Sequence, residues 1–514
     1  MRIYSRSIIH AALGAAVAAS LAACGGDATN NNTNNNGTNN NNSTASLQQQ
    51  AVDNGQIDYA DGAGLTIKDT LAVDLSGTTI GAPATALPAG FEAANYHGAV
   101  DPAAATGWWE GWTYIDPAVD GSLPGAKFHP LEAEITGGTI MPAGANACTT
   151  VNPDFTDGGT VTIFGAVFPV CVISEDIEAA TNLPNTHVYV LDGTINVGTG
   201  DAKLAGGSPS SSVTLTIDAG AQLYAIEGSA SALVITRGSK IEAVGTADMP
   251  IIFAAVAANT TMANVITGDP TDLTGRGTWG GMVLSGMGGE NSGDTNGELT
   301  TEAAPPDQER WFGGNNSADD SGTVKYVVIA ESGYAFREGE EVQGLTLEAA
   351  GSGTEIDYLQ ITNSEDDCVE WFGGAAPIKH LICNGVDDDG LDMDEGFSGN
   401  VQFVIVRIGS NNGDHGIESD NNGGDYEAMP YSAPNLANIT ILGNKGKDDT
   451  NTNGALHREG FRGKMYRSVF TDDLLAGGAF EAGCLDVDNV LPAALQHFDA
   501  VYNCTPGPLT DDEE

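Results

Sequence analysis

The chain has 514 residues, 69 of them acidic and 19 basic, for a formal charge of −50. So anionic a chain lacks the basic footprint that nucleic-acid binding requires, which excludes DNA and RNA as partners. Three readings of the acidity remain: solubility in salty water, repulsion from anionic surfaces, and carboxylates placed to ligate divalent cations.

The first residues read as an export address. Arg2 and Arg6 precede an apolar run over residues 8–22, and Leu21-Ala22-Ala23-Cys24 closes it as a lipobox. Residues 1–23 are therefore expected to be a lipoprotein signal peptide, cleaved before Cys24, whose thiol is acylated. The run is short for a spanning helix and no charged stop follows it. In lipoproteins that this segment resembles, Gly25 in place of Asp after the cysteine implies transport to the outer membrane, with the body exposed at the cell surface. Acyl chains would hold it there by burying methylenes, roughly 0.8 kcal/mol each. Residues 24–52 are dominated by Asn with Thr, Ser and Gln, too polar to fold, and are expected to be a disordered tether from Cys24.

Residues 53–185 are rich in Gly, Ala, Pro and Asp, with short strand-like runs such as Val161-Thr162-Ile163-Phe164, and are expected to form an N-terminal capping region. They contain an aromatic knot, Trp108-Trp109-Glu110-Gly111-Trp112-Thr113-Tyr114. Such tryptophans could stack on sugar rings, but packing onto the following domain is the commoner use and the one expected here.

From residue 186 to 514 the texture changes to brief β-branched runs between Gly, Asn and Asp turns, among them His187-Val188-Tyr189-Val190-Leu191, Val213-Thr214-Leu215-Thr216-Ile217 and Ile251-Ile252-Phe253. No helical period of 3.6 residues persists, so the chain is all-β. Its later half repeats. Units starting at Tyr326, Tyr358, His380, Phe403 and Ile439 are 32, 22, 23 and 36 residues apart, a base period near 22 with insertions. Three strands of roughly 5 residues plus turns fill one coil of a parallel β-helix at about that length. Each coil leaves its apolar side chains uncovered until the next one stacks, so a solenoid with a C-terminal cap is expected. A sandwich or propeller would show antiparallel hairpins at shorter, more even spacing.

Six cysteines remain besides Cys24. An even number in an exported chain points to disulfides, and sequence-local couples give Cys148 with Cys171, Cys368 with Cys383, and Cys484 with Cys504. Catalytic thiol chemistry is not expected.

Several segments carry a resemblance. Leu215-Thr216-Ile217-Asp218-Ala219-Gly220-Ala221, Ala232-Leu233-Val234-Ile235-Thr236-Arg237-Gly238-Ser239-Lys240-Ile241, Trp279-Gly280-Gly281-Met282-Val283-Leu284 and Trp371-Phe372-Gly373-Gly374 resemble a widespread, poorly characterised group of bacterial surface lipoproteins and secreted proteins. The resemblance covers about residues 96–471 and implies a right-handed parallel β-helix.

Three acidic turns recur at one place in successive units: Glu365-Asp366-Asp367-Cys368, Asp387-Asp388-Asp389-Gly390 and Gly413-Asp414-His415-Gly416. Cys368, Gly390 and Gly416 step by 22 and 26 residues, so stacking would lay the carboxylates in a column. Like charges a coil spacing of about 4.8 Å apart repel unless cations lie between them or protons sit on them. Calcium suits hard oxygens in flexible turns. The expected ligands are Asp366, Asp367, Asp387, Asp388, Asp389, Asp392, Asp394, Glu395, Asp414, Glu418 and Asp420. A simply solvated acidic face is the bland alternative. The eight histidines show no paired spacing suggesting zinc, Trp371 is expected to seal a coil, and His457 and Arg458 to form ion pairs.

An enzymatic reading competes. Asp366-Asp367-Cys368-Val369 and His415-Gly416-Ile417 look superficially like the Asp-Asp and His-Gly signatures of polygalacturonases, with Asp367, Asp389 and His415 as acid and base groups. The departures are large: the aspartates and His415 lie two coils apart, no Asn-Thr-Asp precedes them, and His457-Arg458-Glu459 or Arg462-Gly463-Lys464 stands where a basic saccharide-binding motif belongs. A lyase would want Lys or Arg as base beside calcium, and basic residues are few. The function expected is therefore a calcium-stabilised binding, adhesion or structural module for glycan or an envelope partner, with a polysaccharide hydrolase or lyase as the alternative.

Overall fold

The computed structural model describes residues 47–504 apart from 115–125, 128, 145–146, 210–211, 227–229, 257–274, 306–308, 338–339, 409–412, 444–451, 473–478, 481 and 489–494. The expected signal peptide, Cys24 and most of the tether lie outside the described residues, and the last residues of the tether are not disordered but enter the helix Leu47–Asp53, whose Ala51 is buried in the core. Strands gather into a 17-stranded and a nine-stranded sheet whose long-range pairings are parallel, as a parallel β-helix requires.

One coil shows how the sequence builds it. Leu345–Glu348 lies in the nine-stranded sheet, Glu355–Thr362 crosses the larger sheet, and Val369–Phe372 returns directly onto Leu345–Glu348, pairing Leu345 with Val369 and Leu347 with Trp371. Alternate side chains point inward and stack in files such as Leu359, Leu381, Val404 and Ile439, all fully buried in one continuous core. Trp371 lies in that core, stacked on Phe397 at 4.9 Å. The three expected disulfides are present, Cys148–Cys171, Cys368–Cys383 and Cys484–Cys504.

Each long strand bends at one residue. Tyr326, Tyr358, His380, Phe403, Asn438, Arg467 and Asp499 all have left-handed backbone, with φ between 48° and 59°. Non-glycine residues seldom adopt it, so its recurrence marks a corner that the coil geometry imposes. The strand register stacks these corners. Aromatic stacking along the file offsets the strain, with Tyr326–Tyr358, Tyr358–His380 and His380–Phe403 ring centroids 4.4, 4.3 and 4.9 Å apart. One expected boundary moves. Ile439 pairs with Val404, so the unit starts at Asn438, 35 rather than 36 residues after Phe403.

Within residues 53–185 two parts separate. The hairpin of Thr156–Ile163 and Ala166–Ile173 opens the larger sheet, pairing in parallel with Val188–Leu191. The preceding segment instead starts at the opposite end. Ile57–Asp61 adds in parallel to the last strand, Gln496–Asn503, with Tyr59 stacked on Tyr502 at 4.9 Å. From there it runs back along the flank and engages the corner side chains in reverse order. The Asp499 carboxylate accepts the Ala84 and Thr85 N–H groups, the Arg467 guanidinium donates to the Ala94 and Thr85 carbonyls, and the Asn438 amide donates to the Tyr96 and Gly98 carbonyls. Trp108 meets Tyr358 and His380 edge-on, Trp112 meets Tyr326 and Tyr358, and Gln360 makes two hydrogen bonds with the Tyr114 backbone. Trp109 and Trp112 are fully buried, so the tryptophan knot packs rather than presenting a sugar platform.

The strand Ile57–Asp61 covers an edge that would otherwise offer bare N–H and C=O groups. A chain beginning at Ala63 should therefore melt on the order of 5 °C lower and self-associate with concentration in light scattering. An unchanged melt and a monodisperse monomer would contradict this role of the segment.

Candidate cation-binding face

The three acidic turns stack in register. The Cys368 N–H donates to the Asp389 carbonyl, Gly390 to His415 and Gly416 to Asn453, while Val369, Leu391 and Ile417 pair across the nine-stranded sheet. The turns then solve part of their charge problem with their own backbone. Asp367 Oδ1 accepts the Asp389 N–H at 2.8 Å, Asp389 Oδ1 accepts the His415 N–H at 2.6 Å, and His415 Nδ1 accepts the Asn453 N–H at 3.2 Å. Because Nδ1 is an acceptor, the neutral imidazole carries its proton on Nε2, which faces Asp414 at 3.6 Å and Glu418 at 3.9 Å. His415 is thereby a poor metal ligand, although Asp389, His415 and Glu418 converge within 4.8 Å.

On the outer face of the nine-stranded sheet the register makes a second file. Thr346, Glu370, Asp392, Glu418 and Leu456 lie one above another. In earlier coils this face is apolar, where Ala232, Val234 and Val283 pack beneath Ala303 and Val342. Here it turns acidic. Carboxylate oxygens of Asp367, Glu370 and Asp392 all lie within 4.8 Å of one another, as do those of Asp366, Asp367 and Asp388. Two oxygens each about 2.4 Å from a common ion are at most about 4.8 Å apart, so either trio fits around one calcium. The first trio has a further mark. Glu370 Oε2 and Asp392 Oδ1 are buried with no hydrogen-bond partner among the described residues.

Burial is the main cause of the electrostatic stress. It raises the carboxyl groups of Asp366, Asp367, Glu370, Asp389, Asp392 and Asp394 well above their ordinary range, and neighbouring carboxylates add to it. For Glu370 those neighbours are Glu302, from the insertion over the sheet, then Asp392. Burial lifts Glu418 and Asp420 to about 7 even though Arg458 pulls both down. The expected ligands thus divide. Asp387 meets the Arg276 guanidinium, and Glu418 and Asp420 share Arg458, the Asp420 contacts being 2.9 and 3.0 Å. Asp394 spends Oδ1 on the Glu395 N–H.

One expectation needs correction. Arg458 forms its ion pairs, but His457 does not: it points into the core, stacked on Phe461 at 5.1 Å, and burial drives its pKa down. Glu370 was not among the expected ligands. Its signal is positional, since Glu370, Asp392 and Glu418 each fall two residues after the aligned Cys368, Gly390 and Gly416.

A coil-shaped scaffold with carboxylates stacked on one sheet face defines the class, a β-helix with an acidic site. Residues 177–484 match the family described as the pectate-lyase-like β-helix domain, which is more than half of the chain, and the protein belongs to that family. No curated protein and no solved structure matches it.

The raised carboxyls fix a pH dependence. The folded state binds protons more tightly than the unfolded chain, so their contribution is full below the unfolded pKa and is lost as pH rises through the folded values near 7 for Glu418 and Asp420 and near 8 for Glu395. In EDTA the melting temperature should fall from pH 5 to pH 8, and excess calcium should flatten that fall. A melt in EDTA that rises across this window would contradict the assignment.

Proposed function

We propose that the protein is an outer-membrane-anchored surface lipoprotein whose calcium-loaded β-helix binds a glycan or an envelope partner. The observation that carries the cation reading is the cup of Asp367, Glu370 and Asp392, whose oxygens lie within 4.8 Å of one another, two of them buried with no hydrogen-bond partner among the described residues. Calcium there would add positive charge to that of Arg276 and Arg458, with Asp367, Glu370 and Asp392 as its protein ligands. Membership in a pectate-lyase-like family suits a protein that binds or acts on polysaccharide. A rigid rod with similar coils presents repeated donors and acceptors, which suits a polymeric ligand. Cys24 is the proposed acylation site, and the residues between it and the helix Leu47–Asp53 the tether.

The family membership and the hydrogen-bonded chain Asp367, Asp389, His415 favour a second reading, a polysaccharide hydrolase or lyase. Against hydrolysis, Asp367 and Asp389 each commit an oxygen to a backbone N–H. Against elimination, Arg458 is held by two carboxylates and its pKa is raised, the opposite of what a base needs.

Isothermal titration of the ectodomain with calcium should show binding that Glu370→Gln and Asp392→Asn each weaken by about 10-fold or more. Affinity electrophoresis against neutral and acidic polysaccharides should show retardation that EDTA reduces, without new reducing ends or unsaturated products. No calcium binding by the wild type would end the cation reading, and product release would replace the binding module by the enzyme.

A further inference from the structure

The flanking segment is clamped to the solenoid at fixed points. The Thr85 N–H donates to Asp499 Oδ2 at 2.7 Å, and the Thr85 carbonyl accepts from the Arg467 guanidinium. Further on, Gln402 holds the Glu92 backbone, its Oε1 accepting the Glu92 N–H at 2.8 Å and its amide donating to the Glu92 carbonyl at 3.0 Å. Between these clamps the chain turns at Gly90, in left-handed backbone with φ 99°, where a Cβ would lie 2.8 Å from the Asn400 side-chain amide. The detour leaves a cavity of about 430 Å³ whose lining includes Leu87, Pro88, Phe91, Glu92, Asn95 and Arg467. Its volume is that of a small-ligand site, and the clamps on either side make it preformed.

Its charge sets it apart from the rest of the molecule. In a chain with 69 acidic and 19 basic residues, Arg237, Arg276, Arg310, Arg458 and Arg462 meet Glu298, Asp387, Glu348, Glu418 and Glu427. Arg467 is only 7% exposed, yet no carboxylate among the described residues lies within ion-pair distance of it. It donates to the Ala94 and Thr85 carbonyls, and its Nε has no hydrogen-bond partner among the described residues. Asp499, next along the corner file, uses both oxygens to accept the Ala84 and Thr85 N–H groups. Glu92, the other charged group of the lining, turns its carboxylate to Lys379 at 3.0 Å.

A guanidinium withdrawn from water calls for an anion, and neutral carbonyls meet only its need for acceptors. Leu87, Pro88 and Phe91 make much of the remaining wall apolar. We infer that this cavity binds a small organic carboxylate with an apolar body, the carboxylate meeting Arg467 and the body lying against Leu87, Pro88 and Phe91. A single planar guanidinium matches a planar carboxylate in shape and charge, whereas a doubly charged phosphate calls for more than one cation. The same carboxylate chemistry occurs in free organic acids and in acidic sugars, and the apolar wall assigns the free acid. The site lies on the flank of the rod and does not depend on the cup of Asp367, Glu370 and Asp392.

Titration calorimetry of the full ectodomain with benzoate, in EDTA so that calcium takes no part, should show one site. Benzamide, of the same shape without the charge, should bind at least about 10-fold more weakly. Glucuronate, which keeps the carboxylate but lacks the apolar body, should also bind more weakly. Arg467→Met should abolish benzoate binding. Because that change also removes a clamp on the flanking segment, Leu87→Glu is the companion variant: it leaves the Arg467 hydrogen bonds in place, sets an anion in the cavity and should weaken benzoate by about 10-fold or more. No benzoate binding by the wild type, or binding that Leu87→Glu leaves unchanged, overturns the site. Benzamide binding as tightly as benzoate overturns the part given to Arg467, inorganic phosphate binding as tightly overturns the carboxylate, and glucuronate binding as tightly overturns the apolar body in favour of an acidic sugar.

Discussion

In-register parallel stacking is the constraint from which the rest follows, because it repeats every position one strand spacing away, about 4.8 Å. For apolar and aromatic groups the repetition is favourable. Leu359, Leu381, Val404 and Ile439 build one file of core, and Tyr326, Tyr358, His380 and Phe403 one file of rings. For carboxylates it is costly, since each lands beside its own kind away from water. The molecule answers in three ways. Asp367 and Asp389 bind the N–H of the next turn, Asp387 and Asp420 meet arginines, and Glu370 and Asp392 are left with oxygens that no described group satisfies. The proposed cation site rests on the last kind.

Much of this was readable from the chain because a solenoid writes its geometry as a period. The steps of 22 and 26 residues between Cys368, Gly390 and Gly416 are the steps of the strand register itself. The local cysteine couples reflect the same economy, joining neighbouring segments of the coils. One member of the acidic file did not stand out in the sequence. Glu370 obeys the period but hides between Val369 and Trp371, in a run whose burial reads as wholly apolar. Outward positions are polar in one stretch of the face and apolar in another, so composition alone does not expose them.

The flanking segment was beyond any local reading. Its contacts join residues more than 300 positions apart, such as Ala99 with Thr440 and Asn438 with Tyr96. They also explain a choice along the corner file. Where Trp108 and Trp112 cover it the corners are aromatic, and where bare backbone covers it they are Asn438, Arg467 and Asp499, which donate to carbonyls or accept N–H groups. A corner forced into left-handed backbone gains a second use as an attachment point. Since Ile57–Asp61 rests on the last strand, a tether preceding it would leave from the C-terminal end of the rod, with the hairpin of Thr156–Ile163 and Ala166–Ile173 at the far end.

The hydrogen-bonded turns also weigh on the choice between binding and catalysis. A general acid or base needs an oxygen or nitrogen free to reach substrate and a proton that moves between two states of similar energy. Asp367, Asp389 and His415 are instead consecutive rungs, each with one acceptor fixed by the N–H of the next coil. The outward oxygens of Glu370 and Asp392 carry no such duty. Buried oxygens with no partner among the described residues, on a face where Arg458 offsets only part of the acidic charge, are the ground on which the proposed cation reading stands, since a hard cation suits such donors better than a proton in transit.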